Sequence, residues 1–274
     1  MIGKLFRSLF YIAFIAVCTI VVMKVTEQSQ MITEPSLALV ELTGVIYESN
    51  TIVEMLRDVE RDPMVKGLMI RVNSPGGMVA PSQEMYAALR NASKPVWAYY
   101  DGLAASGALY STLAASRIGT QGGTITGSIG VILSSVNASE LFRKIGLERI
   151  TVKSGRFKDL LGSENGLGEE GRLILDQLVN DTHQEFVQAI SVSRNIPLEK
   201  VKTFADGRVF TGRHALELGL VDEVTSFAEF RQKMADELGV NSENYLERKK
   251  SDWDWVSDLL SGAKAGTQLM YLFD

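Results

Sequence analysis

Cysteine and histidine are scarce in this 274-residue sequence, which contains one cysteine, Cys18, and two histidines, His183 and His214. A single cysteine excludes an internal disulfide and every zinc motif built from several cysteines. Spacings typical of metal ligands, such as H-E-x-x-H or C-x-x-C, do not occur. The sequence therefore predicts no metal centre and no disulfide framework.

The two histidines also argue against a Ser-His-Asp enzyme. His183 falls in the middle of a predicted long helix and His214 at the start of a short one, where a solvated or hydrogen-bonded surface side chain is the ordinary interpretation. The motif G-x-S-x-G, a P-loop and a G-x-G-x-x-G after a strand are also missing. Hydride transfer, nucleotide hydrolysis and zinc hydrolysis lose their usual sequence support, and no cofactor is predicted.

Basic clusters are missing as well. Lys and Arg total 28 against 33 Asp and Glu, which gives a formal net charge of -5. Nucleic-acid binding relies on clustered basic side chains that release counterions from the phosphates, so no nucleic-acid partner is expected. Hydrophobic residues make up 46% of the chain, enough for a sizeable core in one compact domain or two small ones.

A long apolar run is present at the N-terminus. Residues 9–23 carry no charge, and the wider stretch 5–25 would form a helix of about 30 Å, enough to cross a bilayer. A cleaved signal peptide is the alternative, because basic residues precede the apolar core, but no A-x-A-like cleavage site follows it. We therefore expect a transmembrane signal anchor over residues 9–25.

The distribution of basic residues predicts the orientation of this anchor. Lys4 and Arg7 precede it, whereas Lys24 is the only basic residue between the apolar core and Arg57. The positive-inside rule then places residues 1–8 in the cytoplasm and the rest of the chain outside it, as a single-pass protein of the cell membrane. We expect a linker over residues 26–36, a catalytic domain over 37–240 and a C-terminal tail over 241–274.

Beyond the linker, the sequence alternates short apolar strands with amphipathic helices, which is typical of an α/β fold. The predicted strands are residues 37–42, 67–72, 96–100, 117–120, 131–136, 148–152 and 220–224. The predicted helices are residues 49–61, 82–90, 138–145, 169–194, 213–218 and 227–238.

Two glycine-rich turns follow predicted strands and have a form suited to acyl chemistry. In the turn NSPGG, the backbone amide of Gly77 is free to point at a ligand. The next turn places Ser106 among small residues at the start of a helix. Ser106 would attack a carbonyl while the amides of Gly77 and Gly107 hold the oxyanion. Close packing of small residues is the alternative explanation for both turns.

A serine nucleophile needs a base, and with histidine disfavoured the candidates are a lysine or a carboxylate. Lys153 and Lys158, in KSGRFKD, follow the predicted strand 148–152. An ordinary lysine has a pKa of about 10.4, so a lysine base must be desolvated to be neutral near pH 7. Ser128, in TITGSIG, would supply a hydroxyl that orients it. Solvated surface charges are the alternative for both lysines, and physical reasoning alone does not choose between them.

Five motifs in order resemble the bacterial signal peptide peptidase A family in its short, single-domain form. They are VNSPGG, GLAASGALY, TGSIGV, KSGRFKD and DGRVFTGRHALELGLVDE, and the resemblance spans about residues 37–224. It implies a Clp/crotonase-like superhelical fold of β-β-α units. It also implies a serine endopeptidase with a Ser-Lys dyad that degrades cleaved signal peptides and other hydrophobic peptides.

The resemblance implies a role for each site residue and a homo-oligomeric ring with the active sites inside. The roles are nucleophile for Ser106, general base for Lys158, orientation of the lysine for Ser128, and oxyanion donors for Gly77 and Gly107. Arg208 and Arg213 are expected to serve the core or an oligomer contact, and Asp206 is expected to be structural.

Three alternatives share parts of this pattern. A crotonase-type acyl-CoA enzyme has paired oxyanion amides but needs neither Ser106 nor a membrane anchor. A non-catalytic scaffold has no use for Ser106, Lys158 and Ser128 together. A regulatory membrane serine protease with the same dyad, acting on a membrane protein partner, is the alternative to signal-peptide degradation. In each peptidase case, the apolar end LMYLF of the tail is expected to occupy the substrate groove.

Overall fold

A nine-stranded sheet lies at the centre of the computed structural model, which describes residues 34–148, 150–162, 167–248 and 270–272. Its strands are β1 Ser36–Ile46, β2 Val65–Met78, β3 Val96–Ala105, β4 Arg117–Thr120, β5 Ile125–Gly127, β6 Val209–Thr211, β7 Glu223–Val224, β8 Tyr245–Arg248 and β9 Met270–Leu272. The helices are α1 Asn50–Arg61, α2 Val79–Arg90, α3 Gly107–Thr112, α4 Ser139–Lys144, α5 Glu169–Arg194, α6 Leu198–Lys202, α7 Gly212–Leu218 and α8 Phe227–Leu238.

The expected cytoplasmic segment 1–8 and anchor 9–25 lie outside the described residues, as does most of the linker 26–36. Among the helices that are described, none has both the length and the apolar character needed to cross a bilayer.

The sheet is mainly parallel and brings the carboxyl ends of several strands to one edge. The main path runs β6-β5-β3-β2-β1-β8, while β4 pairs with β3 and β7, and β9 pairs with β2. Pairing is antiparallel only for β5 with β6 and for β2 with β9 within the described sheet. Parallel neighbours joined by helices confirm the predicted α/β class.

The central strands are buried on both faces, which explains their nearly continuous apolar sequences. Successive residues alternate between two core clusters: Ala98 and Tyr100 face the larger one, and Trp97 and Tyr99 face the smaller one. Helix α8 covers the smaller face through Phe230, whose ring lies 4.9 Å from that of Trp97. Every one of these side chains is at most 3% exposed, so the sheet is a rigid base for the turns at its edge.

Two strand predictions are wrong. Residues 131–138 contain one isolated bridge at Ile132, and the described residues of 148–152 are irregular. The apolar alternation there suggested a half-buried strand, but most of these side chains are exposed in the described part of the chain. The side chains of Val136, Ile150 and Val152 are 88%, 85% and 96% exposed.

Two other predicted strands are longer than expected, because residues predicted to form the glycine-rich turns belong to the strands. Residues 73–77 do not end β2, which runs to Met78 with register shifts against both neighbours, and β3 runs to Ala105. Irregularities of this kind bend a strand locally without ending it.

Candidate functional site

Ser106 lies on a sharp turn between β3 and α3. Its φ of 53° and ψ of -120° are unusual for a residue with a side chain, and Gly127 O accepts a hydrogen bond from its backbone N at 2.8 Å. Ser106 is fully buried, and its Oγ has no hydrogen-bond partner among the described residues. A strained turn that carries an unpaired buried hydroxyl is typical of a functional site.

Small residues allow this turn to pack closely. Ala104, Ala105 and Ala108 are all fully buried around Ser106, and Thr126 Oγ1 donates to Ala104 O at 2.6 Å. The close-packing explanation of the sequence is therefore correct, and it does not compete with the catalytic one. Tight packing holds the Ser106 backbone in its unusual conformation.

Ser128 is a neighbour of Ser106 in the sheet. Because Ala105 of β3 pairs with Gly127 of β5 in parallel, Ser106 and Ser128 each follow directly at the same edge. Ser128 also has a positive φ, 49°, and its side chain lies in a largely buried position, 8% exposed.

The backbone of Ser128 is held by a residue that the sequence did not assign to the site. Ser128 N donates to Arg208 O at 2.8 Å. Arg208 forms a bidentate ion pair with Asp206, and this pairing holds the pKa of the Asp206 carboxyl at about 2. The DGR sequence therefore forms a turn beside Ser128 that the ion pair stabilises. Because the contact to Ser128 is made by a backbone atom, the sequence indicated this supporting role only through the motif.

Gly77 lies near the end of β2, where only glycine fits. A Cβ at this position would lie 2.1 Å from Ile46 O and 2.5 Å from Ile46 N, both backbone atoms of β1. The preceding residues are fixed by Ser74, whose Oγ donates to Gly44 O at 2.6 Å and accepts from Gly76 N at 3.1 Å. The amide of Gly77 is therefore held in a defined position.

Gly107 is the first residue of α3, which packs against β2. The first N–H groups of a helix have no acceptor within the helix, so the amide of Gly107 is suited to bind a negatively charged oxygen. Tyr110, one turn further on, is not a competing base. Burial raises its pKa above the ordinary value, as does the charge of Glu185, and its hydroxyl donates to Glu185 Oε1 at 3.3 Å.

The structure does not bring Lys158 into contact with Ser106 within one chain. Lys153 and Lys158 are both exposed in the irregular segment between α4 and α5, and Lys158 N donates to Gly155 O at 3.2 Å. Since Ser106 Oγ has no partner in the described part of the chain, neither amine lies within hydrogen-bond distance of it. The sheet brings three of the predicted site features together at one edge: Ser106, Ser128 and the glycine amides. Lys158 is not part of this arrangement within one chain.

The C-terminal strand β9 lies beside this site. Met270–Leu272 pairs in antiparallel fashion with Gly76–Met78, and β9 also contacts α3. The apolar end of the tail was expected in the substrate groove, and its described residues lie against the strand that carries Gly77.

A buried serine on a strained strand-to-helix turn, with glycine amides on adjacent elements of an α/β sheet, defines a site suited to peptide hydrolysis. The family model of peptidase family S49 matches residues 88–241, and the Clp protease model matches residues 26–122. The chain belongs to peptidase family S49, the signal peptide peptidase A family indicated by its five motifs.

Individual relatives agree with this assignment. A Synechocystis protein that carries a protease name is 39% identical over 82% of this chain and 80% of its own length. An Enterococcus faecium protein that carries a signal peptide peptidase name is 31% identical over 81% of this chain and 65% of its own length. The chloroplastic serine protease SPPA of Arabidopsis thaliana is 34% identical over 77% of this chain but only 32% of its own length.

Proposed function

We propose that this protein is a membrane-anchored serine endopeptidase that degrades cleaved signal peptides, with Ser106 as nucleophile and Lys158 as general base. The observation that carries the proposal is the hydroxyl of Ser106, which lies on a strained turn, is fully buried and has no hydrogen-bond partner among the residues that the structure describes. A hydroxyl in this state lacks a base, and supplying one completes an acyl-transfer site.

The proposed reaction has two steps. Neutral Lys158 takes the proton of Ser106, the alkoxide attacks the peptide carbonyl, and the amides of Gly77 and Gly107 bind the oxyanion. The C–N bond then breaks, and the lysine gives its proton to the leaving amine. In the second step the same lysine accepts a proton from water, whose oxygen attacks the acyl carbonyl. The ester C–O bond to Ser106 then breaks, the lysine returns its proton to Ser106 Oγ, and the acid is released.

Ser128 is proposed to orient the lysine amine. It lies beside Ser106 at the same edge of the sheet, so an amine that reaches Ser106 Oγ also comes near the Ser128 hydroxyl. The bond from Ser128 N to Arg208 O fixes that position.

A second copy of the chain is the proposed source of the lysine. Most of the exposed large apolar side chains of the described residues lie in the segment that contains Lys158, here called the 132–178 surface: Ile132, Val136, Leu141, Ile145, Leu147, Ile150, Val152, Phe157, Leu167, Leu173, Ile174 and Leu178. Exposed large apolar side chains in this number on one segment are typical of a surface that another molecule covers. A homo-oligomeric ring that buries it would bring Lys158 of one copy to Ser106 of the next.

The sequence and one relative support the membrane location and the substrate class. The apolar run at residues 9–25 is long enough to span a bilayer, and its flanking charges favour an extracytoplasmic peptidase domain. The Enterococcus faecium relative carries a signal peptide peptidase name. Cleaved signal peptides are apolar and are released at the membrane, where an anchored peptidase meets them.

Hydrolysis of a synthetic signal peptide by the full chain in detergent tests the proposal. Ser106→Ala and Lys158→Ala should each lower kcat by roughly 10³-fold or more, because each removes one member of the dyad. Lys153→Ala is the matched control, since it removes a nearby exposed lysine from the same segment, and it should keep most of the activity. Unchanged turnover by Ser106→Ala would refute the peptidase assignment of this site.

The pH dependence gives a second test of the base. Only the neutral amine accepts the Ser106 proton, so kcat/KM of the wild type should rise with pH toward the alkaline range. A profile that is flat from mildly acidic to alkaline pH, with chemistry limiting, would contradict a lysine base.

A further inference from the structure

Strand β3 contains an insertion just before it turns into α3. Val72 of β2 pairs with Tyr100 of β3. The next pair along the two strands joins Ser74 to Ala104. Between these pairs β2 advances from residue 72 to 74 and β3 from 100 to 104, so β3 has two extra residues here. The segment 101–103, here called the β3 bulge, therefore lies opposite a single residue of β2.

The β3 bulge decides which residues of the two strands reach the same level at the site. In a parallel pair, the residue numbers advance together along both strands. Counted on from the pair after the bulge, Gly107 reaches the level of Gly77. Counted on from the pair before the bulge, Ala105 would take that place, and Gly107 would lie two residues, about 7 Å, further along. The bulge therefore brings the two proposed oxyanion donors to one level.

Two threonine hydroxyls hold the ends of the β3 bulge. Extra residues in a strand leave the regular ladder, so their backbone carbonyls need other donors. At the start of the bulge, Thr124 Oγ1 shares its hydrogen between Tyr100 O, at 3.1 Å, and Asp101 O. At its end, Thr126 Oγ1 donates to Ala104 O at 2.6 Å. Thr124 is 2% exposed and Thr126 is fully buried, so solvent does not replace these hydroxyls when they are removed.

An ion pair ties the side chain of the bulge to β2. Asp101 Oδ2 accepts hydrogen bonds from Arg71 Nε at 3.1 Å and from Arg71 Nη2 at 2.7 Å. The guanidinium of Arg71 also lies over the ring of Phe227, 4.8 Å from its centroid. The Arg71 and Asp101 side chains are 37% and 30% exposed, so solvent screens this pair and the buried threonine bonds are the stronger constraint.

We propose that Thr124 is a positioning residue for the reaction, because its hydroxyl holds the β3 bulge and the bulge keeps Gly107 level with Gly77. The inference rests on the proposed function, since the two amides matter as a pair only if they bind one oxyanion. In this role Thr124 acts through the backbone of β3. When the bulge relaxes, Gly107 moves away from the developing oxyanion, while contacts made equally by the bound substrate persist.

Thr124→Val in the full chain tests the proposal, because valine keeps the shape of the side chain and removes the hydroxyl. We expect kcat on the synthetic signal peptide to fall about 10- to 100-fold and KM to change less than about twofold. Thr124→Ser keeps the hydroxyl and should retain at least about half of the wild-type kcat. Thr120→Val is the matched control, and its kcat should also stay within about twofold of the wild type. Thr120 is equally buried, but its hydroxyl donates to Tyr100 O at 3.2 Å and Gln121 O at 3.3 Å, both outside the bulge.

A peptide aldehyde separates the position of the oxyanion donors from a general loss of stability. Ser106 Oγ adds to the aldehyde carbon, the electron pair of the C=O bond moves to the oxygen, and the Ser106 proton passes to the lysine. The bound inhibitor then carries an oxyanion. An aldehyde derived from the synthetic signal peptide should bind Thr124→Val about 10- to 100-fold more weakly than the wild type. The corresponding peptide alcohol has no carbonyl and should bind both proteins equally.

The outcomes separate this inference from the proposed function. With an active wild type, an equal loss of kcat in Thr124→Val and Thr120→Val would overturn the role of the bulge. A loss in Thr124→Ser as large as in Thr124→Val would overturn the role of the hydroxyl, and equal affinity of the aldehyde for Thr124→Val and wild type would overturn the link to the oxyanion. No hydrolysis by the wild type would instead count against the peptidase itself.

Asp101→Asn tests the same bulge if Thr124→Val does not fold, because the Asp101 side chain is partly exposed and can be changed without opening the core. Asparagine keeps the shape and removes the charge that pairs with Arg71. We expect kcat and the aldehyde affinity to fall together, about three- to tenfold. Glu237→Gln breaks an exposed ion pair with Arg117 on the same sheet and should leave both values unchanged. If Asp101→Asn leaves them unchanged as well, the bulge does not position the oxyanion donors.

Discussion

At the scale of single residues, Ser106 has a strained backbone conformation that destabilises the fold. Its φ of 53° lies in the region that favours glycine. Strain of this kind costs about 1–3 kcal/mol and persists where the surroundings enforce it, most often at functional sites. The strain at Ser106 therefore supports the proposed role of its hydroxyl.

The strain predicts a reversed preference between two substitutions. Ser106→Gly should be more stable than Ser106→Ala by about 1 kcal/mol, because glycine adopts a positive φ without penalty. Ser111 is the matched control, since it is also buried and lies within the helix α3. There Ser111→Gly should be less stable than Ser111→Ala by about 1 kcal/mol. Thermal unfolding of the four variants measures both differences, and the same sign at both positions would contradict strain at Ser106.

Asp206 and Arg208 give a residue-scale prediction on pH. Arg208 holds the pKa of Asp206 at about 2, below its ordinary value. Because the folded-state pKa is lowered, the ion pair stabilises the fold above the ordinary carboxyl pKa of about 3.9, and this contribution is lost as the pH falls toward 2. In Arg208→Ala, an NMR titration of Asp206 should show a pKa close to the ordinary value. If the pKa of Asp206 stays near 2 in that variant, a group other than Arg208 lowers it.

At the scale of elements, the close approach of β1 and β2 depends on Gly77. A methyl group there meets two backbone atoms of Ile46, at 2.1 and 2.5 Å, and backbone atoms in a sheet have little freedom to move. Gly77→Ala should therefore lower the free energy of unfolding by about 2–3 kcal/mol. Gly123→Ala is the matched control, because a Cβ at Gly123 would have no atom within 4 Å. Chemical denaturation of both variants measures the difference, and equal stabilities would show that the two strands separate easily.

The helices were the elements best predicted from the sequence, because their signals are local. Residues 169–194 and 227–238 coincide with α5 and α8. For α8 the signal is a capping box, in which Ser226 Oγ accepts from Glu229 N and Glu229 in turn accepts from Ser226 N. Such a start can be recognised from four consecutive residues.

The strands were predicted less well, because their pairing is set at long range. The three-residue strands β5 and β6 exist through the antiparallel pairs Ile125–Thr211, Thr126–Phe210 and Gly127–Val209, and no pattern of three residues reveals such a partner. The wrong strands at 131–136 and 148–152 arose from apolar residues that are not buried in one chain. Apolar periodicity indicates that a surface is covered, but not whether the same chain covers it.

The residues of the candidate site also differ in whether a local sequence signal indicates them. The turns that carry Ser106, Gly77 and Gly107 could be located from the sequence, because small residues after strands are a local signal, and the catalytic roles of these residues stay predictions. The family resemblance was needed to choose Lys158 over Lys153, and both lysines lie on an exposed segment. The support of Ser128 by Arg208 O had no direct sequence signal, since any residue supplies a carbonyl.

At the scale of the whole molecule, a site without its base and an uncovered apolar surface occur in the same chain. The site lacks a base at Ser106 within the described residues of one chain, and the 132–178 surface, which includes the Lys158 segment, is exposed and apolar. A single assembly would supply the base and cover the surface, if each copy buries this surface against its neighbour and extends Lys158 toward the neighbour's Ser106. A head-to-tail contact of this kind gives a closed ring when the rotation from one copy to the next divides a full turn, and the proposed ring requires such a rotation.

Mixed rings test this arrangement. Ser106→Ala and Lys158→Ala chains, each inactive alone, should regain activity when they are co-expressed with different affinity tags and purified through both. In a ring where each site combines the serine of one copy with the lysine of the next, random mixing at equal amounts makes ~25% of the sites complete. We therefore expect about a quarter of the wild-type kcat per chain, measured on the synthetic signal peptide.

A double variant controls for the mixing. Rings of Ser106→Ala with a Ser106→Ala, Lys158→Ala chain contain no intact serine and should stay inactive. If doubly purified rings of the two single variants are also inactive, the serine and the lysine of one chain must act together. The exposed segment that carries Lys158 would then have to fold back onto its own Ser106, and the apolar 132–178 surface would need a different explanation. Recovered activity would instead make assembly a condition of catalysis, so that an isolated chain, whose Lys158 makes no hydrogen bond to its own Ser106, is inactive until it joins a ring.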